Sequence, residues 1–334
     1  MGCHRVLVTG ACGFLGSAIV RQAVNYGLSI IATDKIENKD LLNVNYVVAD
    51  ILDPESLLKP VNGIDVVCHV AGLAHIFERS KADKVPFYEV NVIGTKNVAY
   101  AAARAGVKYF LFISSVSVYG GEAEGKNEES KCHPETAYAE SKWQAEQLLI
   151  NFCEKVGMDL TILRLATLYG EGDPGNLARL IRSIDKGHFV WIGNGKNLKS
   201  LLHRDDAARA CIEAIKRPQS GINIYNVSAP PCKMSDIVKT IYDALGKSSP
   251  SWHIPGSFAL NSAKLLKIFS FNRGKLSNIY DTLKKWVAND YYNTEKFNKT
   301  FNFQTGVSLE EGIRREVEWL KALKREERVI SNCK

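Results

Sequence analysis

The chain has 334 residues, 46% hydrophobic, 9% aromatic and 24% charged, with a formal net charge of +7. This make-up excludes a disordered or fibrous chain and suits a globular protein of one large or two modest domains. The basic residues are scattered, with no dense run until Lys321–Arg325 at a helix end, so the charge fits an anionic small substrate and not nucleic acid.

The eight cysteines include no C-x-x-C pair and no histidine partners at zinc spacing, so no metal site is expected. Cys68, Cys153 and Cys211 lie in apolar runs and read as reduced, buried thiols. No apolar run approaches membrane-spanning length, and the chain enters its first strand at once, which predicts no signal peptide and a cytoplasmic location.

That first strand, Val6 to Thr9, runs into glycines at 10, 13 and 16, and behind them Leu15, Ile19, Val20, Ala23 and Val24 recur at helical spacing. The pattern predicts strand, tight turn, helix. Gly10 permits the turn, Gly13 lets backbone approach a pyrophosphate, and Gly16 permits close packing of the helix. The helix N-terminus then offers free N–H groups and a positive dipole end to the phosphates.

Leu28–Asp34 reads as a second strand ending in an acid, spaced from the glycines as a ribose-binding carboxylate should be. Asp34 would repel a 2′-phosphate and favours NAD over NADP, although Lys35 beside it pulls the other way. Tyr46–Ile51 is a third strand, with Asp50 placed to meet the adenine edge. Asp65–Gly72 is a fourth, whose small Ala71 and Gly72 leave room for a cofactor across its end. His69 within it reads as a satisfied core histidine. A long helix is predicted over 82–105, with Asn91 and Thr95 on one face, followed by a fifth strand, Tyr109–Ser115. Strands alternating with helices predict a doubly wound parallel sheet with ligands beyond the strands' C-terminal ends.

Tyr138 and Lys142 lie four apart at the start of the next helix and share a face. A phenol is a poor base at its ordinary pKa near 10, and a nearby ammonium together with an oxidised nicotinamide would lower it. Ser115, at the end of the fifth strand, is placed to bond the same substrate oxygen.

Together, Thr9–Gly16, His69–Gly72, Asn91–Thr95, Ser114–Gly120, Tyr138–Lys142 and Leu163–Gly170 resemble the extended short-chain dehydrogenases/reductases, in particular the nucleotide-sugar epimerase/dehydratase group. The resemblance covers most of the chain. It implies an α/β fold, a Rossmann sheet with a smaller mixed α/β substrate-binding region. It implies Ser115, Tyr138 and Lys142 as catalytic residues and NAD as cofactor. The cofactor set it implies is Gly10, Cys12, Gly13, Phe14, Leu15, Gly16, Asp34, Lys35, Asp50, Ile51, Val70, Ala71, Gly72, Asn91, Ile113, Tyr138, Lys142 and Leu165. Ser115, Ser117, Asn176, Arg179 and Lys199 are the candidate contacts to a nucleotide-diphosphate sugar, with UDP-sugars foremost, and a homodimer is expected.

Three departures matter. Similar 4,6-dehydratases carry Asp-Glu after the catalytic hydroxyl, where this chain has Val116 and Ser117. Leu165 replaces a common proline. Lys199 stands where similar epimerases place an arginine ahead of His203 and Asp206. The expected activity is therefore an NAD-dependent 4-epimerase, with a 4-keto-sugar reductase or dehydrogenase, a dehydratase, or a non-catalytic NAD(H)-binding regulator as alternatives.

The rest of the chain is less regular. Glu171–Asn176 is a turn-rich entry to a second region, Val190–Gly193 a short strand and Gly193-Asn194-Gly195 a hairpin turn. A helix at 205–214 and a strand at 222–227 should return to the first sheet. The expected division is 1–170 with about 203–228 for the cofactor, and 171–202 with 229–334 for the substrate. Phe258–Phe271 reads as a substrate lid or core helix, with a membrane-surface helix as the alternative. Ser308–Glu311 is a capping box, and Leu309, Ile313, Val317 and Leu320 stripe the closing helix.

Overall fold

The computed structural model describes residues 4–37, 44–74, 84–121, 123–250, 252–269 and 274–332. In chain order the strands are β1 (Arg5–Thr9), β2 (Ser29–Asp34), β3 (Asn45–Val48), β4 (Val66–His69), β5 (Tyr109–Ser115), β6 (Ala123–Lys126) and β7 (Asp159–Leu165). They continue with β8 (Thr167–Tyr169), β9 (Leu198–Lys199), β10 (Leu201–His203), β11 (Ile222–Val227), β12 (Cys232–Lys233) and β13 (Asp290–Tyr292). The helices are α1 (Phe14–Asn25), α2 (Lys84–Tyr88), α3 (Thr95–Arg104), α4 (Ala137–Val156), α5 (Asn176–Asp185) and α6 (Arg204–Lys216). After them come α7 (Met234–Leu245), α8 (Gly256–Phe269), α9 (Gly274–Val287), α10 (Glu295–Phe301) and α11 (Leu309–Asn332).

Seven parallel strands form the central sheet in the order β11-β7-β5-β4-β1-β2-β3. Strands β1, β4, β5 and β7 read as near-continuous apolar runs because both faces are covered. One face packs on α1 and α6 through Ile19, Val20, Ala208 and Ile212, with Phe297 and Phe301 of α10 at its edge. The other packs on α3 and α4 through Val98, Ala102, Leu149 and Cys153. Leu111 is fully buried in β5, and its truncation to alanine would cost about 2–5 kcal/mol. The strand order reverses between β1 and β4, which opens a crevice beyond Thr9 and His69, and Gly10 and Val70–Gly72 line it.

His69 joins the two strand ends. Its Nδ1 is 2.7 Å from Thr9 Oγ1 and its Nε2 is 2.9 Å from Thr95 Oγ1. Burial holds the imidazole down at about 3, so it is neutral, and the expected core role stands.

The helix anticipated over 82–105 is broken. α2 gives way to a π-helical turn, Glu89–Gly94, before α3 begins. A Cβ on Gly94 would lie 2.5 Å from the Ile51 side chain, which would have to shift to admit it. The expected strand and hairpin near 190–195 are also absent. Ile192 makes a single bridge to Ile254, and the Gly193 amide donates to the Ile254 carbonyl. Turn residues alone could not specify a partner strand, and the nearby β9 pairs with β12 and β13.

A third core cluster gathers α5, α7 and α11, with Ile181, Ile241, Ile313 and Val317 buried. The capping residue Ser308 accepts from the Glu311 amide at 3.2 Å, and the apolar stripe of α11 faces this cluster. Lys321–Arg325 lies within α11, which runs on to Asn332 and does not stop at the basic run. α6 packs on α1, and β11 pairs with β7 along its length. In α8, Ala263 is buried and Phe258 is 66% exposed, while Phe271 lies outside the described residues.

Candidate active site

A cleft of ≈ 710 Å³ runs across the C-terminal ends of the central strands. Gly10, with φ +68°, makes the turn after β1, and a Cβ on it would lie 2.7 Å from the Ala71 backbone. A Cβ on Gly16 would lie 2.0 Å from the Gly10 carbonyl oxygen. The turn and the first helical turn therefore close on each other and leave Gly13 exposed at the cleft. Asp34, at the end of β2, accepts the Cys12 amide at 3.0 Å and the Lys35 amide at 2.8 Å. A carboxylate has about four lone-pair sites, so capacity for ribose hydroxyls remains. This glycine cradle at a helix N-terminus, with an acid beside it, fits a dinucleotide.

Gly10, Gly13, Phe14, Leu15, Gly16, Asp34, Lys35, Asp50, Ile51, Val70, Ala71, Gly72, Ile113 and Leu165 all line this cleft, as do Ser115, Ser117, Tyr138, Lys142 and Asn176. Four expected residues do not. The Cys12 thiol faces Tyr46 Oη at 3.2 Å while its amide serves Asp34. Asn91 is buried behind the wall. Its Oδ1 accepts the Leu73 amide at 2.6 Å, and its Nδ2 donates to Leu73 O and to Ser141 Oγ. Arg179 turns back on Asn176 Oδ1 and Pro174 O in its own helical turn. Lys199 Nζ donates to the Lys285 carbonyl at 2.6 Å. Lys199 was expected from its place ahead of His203 and Asp206, and Arg179 from the turn-rich entry before it, and each bonds an acceptor of the chain itself.

Helix α4 carries the central pair. Thr136 caps it by accepting the Ala139 amide, and Gly157 in the left-handed region ends it. Tyr138 is half-buried and meets Phe87 edge-on at 6.2 Å between centroids. Burial raises its phenol, and a hydrogen bond with Ser115 opposes that rise. Lys142 is buried with its ammonium 4.4 Å above the Phe112 ring, pushed down to about 8 by burial while Glu146 opposes. The lysine was expected to lower the tyrosine. Here Lys142 folds toward Phe112 and Gly72, and Ser115 is the group that acts on the phenol.

The sequence reading missed Phe87, Glu135, Lys285, Asp290 and Tyr292, which also line the cleft. Strand β13 brings the last two from far along the chain, and three residues carry no legible period. Glu171, His203 and Asp205 offer atoms within 4.8 Å of one another. Arg315 already bonds both carboxylates at 2.6 Å, so guanidinium occupies the place an ion would need.

Against known proteins, the profile of the NAD dependent epimerase/dehydratase family matches residues 6–228. The chain belongs to that family. The family expected from the motifs, its NAD dependence and the doubly wound sheet are thus met. Among members of this epimerase/dehydratase family, the chain is similar to the N-acetyl-α-D-glucosaminyl-diphospho-ditrans,octacis-undecaprenol 4-epimerase of Escherichia coli O157:H7, 29% identical over 94% of each chain. It is 30% identical to the UDP-glucose 4-epimerase of Vibrio cholerae, over 92% of this chain and 93% of that one. The solved UDP-glucose 4-epimerase of Thermotoga maritima, with UDP-glucose, superposes with a TM-score of 0.76 at 23% identity, covering 96% and 99% of the two chains. That last likeness carries the fold.

Proposed function

We propose that this enzyme is an NAD-dependent 4-epimerase of a sugar diphosphate, with a UDP-hexose as the first substrate to try. The observation that carries it is Ser115, Tyr138 and Lys142 on one wall of a cleft whose glycine turn fits the dinucleotide, with no acidic pair after Ser115. NAD, when bound, supplies the site that takes a hydride from C4 and returns it. Tyr138 takes the proton from the sugar O4 and gives it back, Ser115 holds O4 by its hydroxyl, and Lys142 supplies positive charge beside the cofactor ribose. Gly10, Gly13 and the N-terminus of α1 receive the pyrophosphate, and Asp34 receives the adenosine ribose and favours NAD over NADP. A positioned acid–base group of this kind contributes on the order of 10²–10⁴-fold.

The two-lobe division belongs to the same reading, with 1–170 and about 203–228 holding cofactor, and 171–202 and 229–334 holding substrate. It is supported by the return of α6 and β11 to the first sheet. We also infer a cytoplasmic homodimer. No helix among the described residues is long and apolar enough to cross a membrane. Tyr100 of α3, 47% exposed, stacks at 4.4 Å on Phe152 of α4 and gives a second copy an apolar face to meet.

One observation favours a second carrier. The Lys199 ammonium is taken up by the Lys285 carbonyl, and Trp252 and Phe258 are 59% and 66% exposed, the second of them on α8. With the Escherichia coli relative in mind, a polyprenyl diphosphate in place of the nucleotide is the second substrate to test.

The experiment offers both carriers and follows product configuration by NMR, product mass, and reduced-cofactor absorbance. A C4 epimer of unchanged mass with no net cofactor consumption is expected. Stoichiometric cofactor use would make it a reductase or dehydrogenase, and loss of water a dehydratase. Tyr138→Phe should lower turnover at least about 100-fold with the thermal midpoint and NAD affinity unchanged. A variant within about tenfold of wild type would remove Tyr138 as the base.

A further inference from the structure

One charged group in the cleft has no part in the chemistry above. Glu135 lies three residues before Tyr138, just ahead of the Thr136 cap, and lines the cleft. Glu135 is exposed, and its carboxylate has no hydrogen-bond or ion-pair partner among the described residues. The backbone makes room for it. A Cβ on Gly121 would lie 2.6 Å from Glu135 Oε2, and one on Gly120 would lie 2.5 Å from the His133 carbonyl oxygen. The glycine pair lets the carboxylate sit close to the turn that follows Ser115 and Ser117. Asp290 is the other acid near this end, and it is already engaged by Tyr292 Oη at 2.5 Å and stands opposite Lys199 in the sheet register.

The cations do not reverse this picture. Lys142 is folded over Phe112, Lys35 lies beside Asp34 at the far end, Lys285 is the remaining lining lysine, and no arginine is among the described residues lining the cleft. Fixed recognition of a carboxylate usually takes an arginine fork. An unpartnered carboxylate accepts from hydroxyl and amide donors and repels another carboxylate.

We propose that Glu135 selects the sugar. It accepts a donor from a neutral hexose or N-acetylhexosamine bound with O4 at Tyr138, and it turns away a hexuronate. The proposal rests on the 4-epimerase reading for the pose of O4, and concerns the sugar whichever carrier is turned over. Two unit charges held about 4–5 Å apart near a protein surface account for discrimination of roughly 100-fold.

The test uses NAD-loaded enzyme with UDP-glucose, UDP-N-acetylglucosamine and UDP-glucuronate, or the same sugars on polyprenyl diphosphate if that carrier is used. Wild type should prefer the better neutral sugar over the hexuronate by about 100-fold in kcat/KM. Glu135→Gln should shrink that ratio at least tenfold, and Glu135→Asp should restore it. A general loss of packing would lower all substrates together and leave the ratio alone. Equal use of the hexuronate by wild type, or an unmoved ratio in Glu135→Gln, overturns the proposal. Calorimetric Kd values for the same pair separate the two readings. Discrimination in binding without epimerisation removes the 4-epimerase and keeps Glu135, equal binding removes Glu135, and no binding of any sugar diphosphate removes both.

Discussion

Two charge networks of this molecule are built differently. Under the catalytic helix, Glu146 and Arg164 are 0% and 2% exposed and pair at 2.6 Å. Arg164 also donates through Nε to both Glu146 oxygens and through Nη1 to Tyr119 Oη, which donates to Asn226 Oδ1. Ser114 donates to Glu146 at 2.5 Å, and none of these side-chain atoms is left unpaired. In the second network Arg315 joins Glu171 to Asp205, and Arg204 lies beside both. Yet Glu171 Oε2, His203 Nε2, Arg204 Nε and Glu316 Oε1 are buried without a hydrogen bond, the first three held only by looser ion-pair contacts of 3.5 to 3.7 Å. The first network lies within one sheet-and-helix layer, where strand register fixes β5, β7 and β11 against one another. The second joins the loop after β8, the start of α6 and α11; the three-residue β8–β10 ladder aligns the first two, and no ladder holds α11 in step with them. A layer can satisfy every lone pair, whereas a seam keeps some adjustable at a cost of about 1–3 kcal/mol for each buried group left unpaired.

The largest effect should come from breaking the satisfied network. Arg164→Met strands Glu146 as a buried, uncompensated charge and should cost about 3–5 kcal/mol in urea unfolding, with Glu146→Leu added to it recovering most of the loss. Failure of that recovery would mean the polar atoms around the pair, Ser114 and Tyr119, matter more than its charge.

The second effect is a pH dependence. Glu316 is fully buried, and desolvation, Asp173 and Glu171 push its carboxyl up to about 8 against the Gly170 amide and Arg182, from an ordinary 4.5. Between those values the folded chain keeps a proton that the unfolded chain has released, so stability falls as pH rises toward 8 and is level beyond. Glu316→Gln removes the titration. Its midpoint relative to wild type should rise by roughly 3–6 °C between pH 5 and pH 9. A constant offset would mean Glu316 is ionised in the folded protein throughout.

The smallest effect belongs to Arg315→Met. Arg315 is 28% exposed and Arg204 remains beside both of its acids, so about 1 kcal/mol or less is expected from a thermal melt. A loss as large as that of Arg164→Met would erase the distinction between seam and layer.

The cofactor half of this molecule was legible because its signals are local. Gly10, Gly13 and Gly16, the acid of β2 and the four-residue spacing of Tyr138 and Lys142 each answer a constraint imposed within a few residues. Asn91 was legible as important and misleading as to contact, since the π turn that aims it at Leu73 and Ser141 leaves no mark in the apolar periodicity. Glu146 stands one helical turn beyond Lys142 and was within reach of the same spacing argument. Asp290 was not, because it reaches the cleft through pairing of β13 with β6 and β9. Glu135 is visible as a residue, but its lack of a partner is a property of the folded chain alone.

The histidine between β1 and β4 fixes the direction of a row of hydrogens. Thr95 Oγ1 donates to the Asn91 carbonyl at 2.7 Å, so its one proton is spent and it can only accept from His69 Nε2. His69 is then the Nε2–H tautomer, and its bare Nδ1 must accept from Thr9 Oγ1. The Thr9 oxygen keeps its lone pairs for the amides of Val70 and Ala71, at 3.2 and 3.3 Å. Every donor in the row points the same way, like dominoes set on edge. A second proton on the imidazole would turn the Thr9 hydroxyl around and leave three donors competing for its oxygen. The imidazole thus sets the proton order of the whole row, and the two amides beside the cofactor cleft have the Thr9 oxygen to themselves only while it stays neutral.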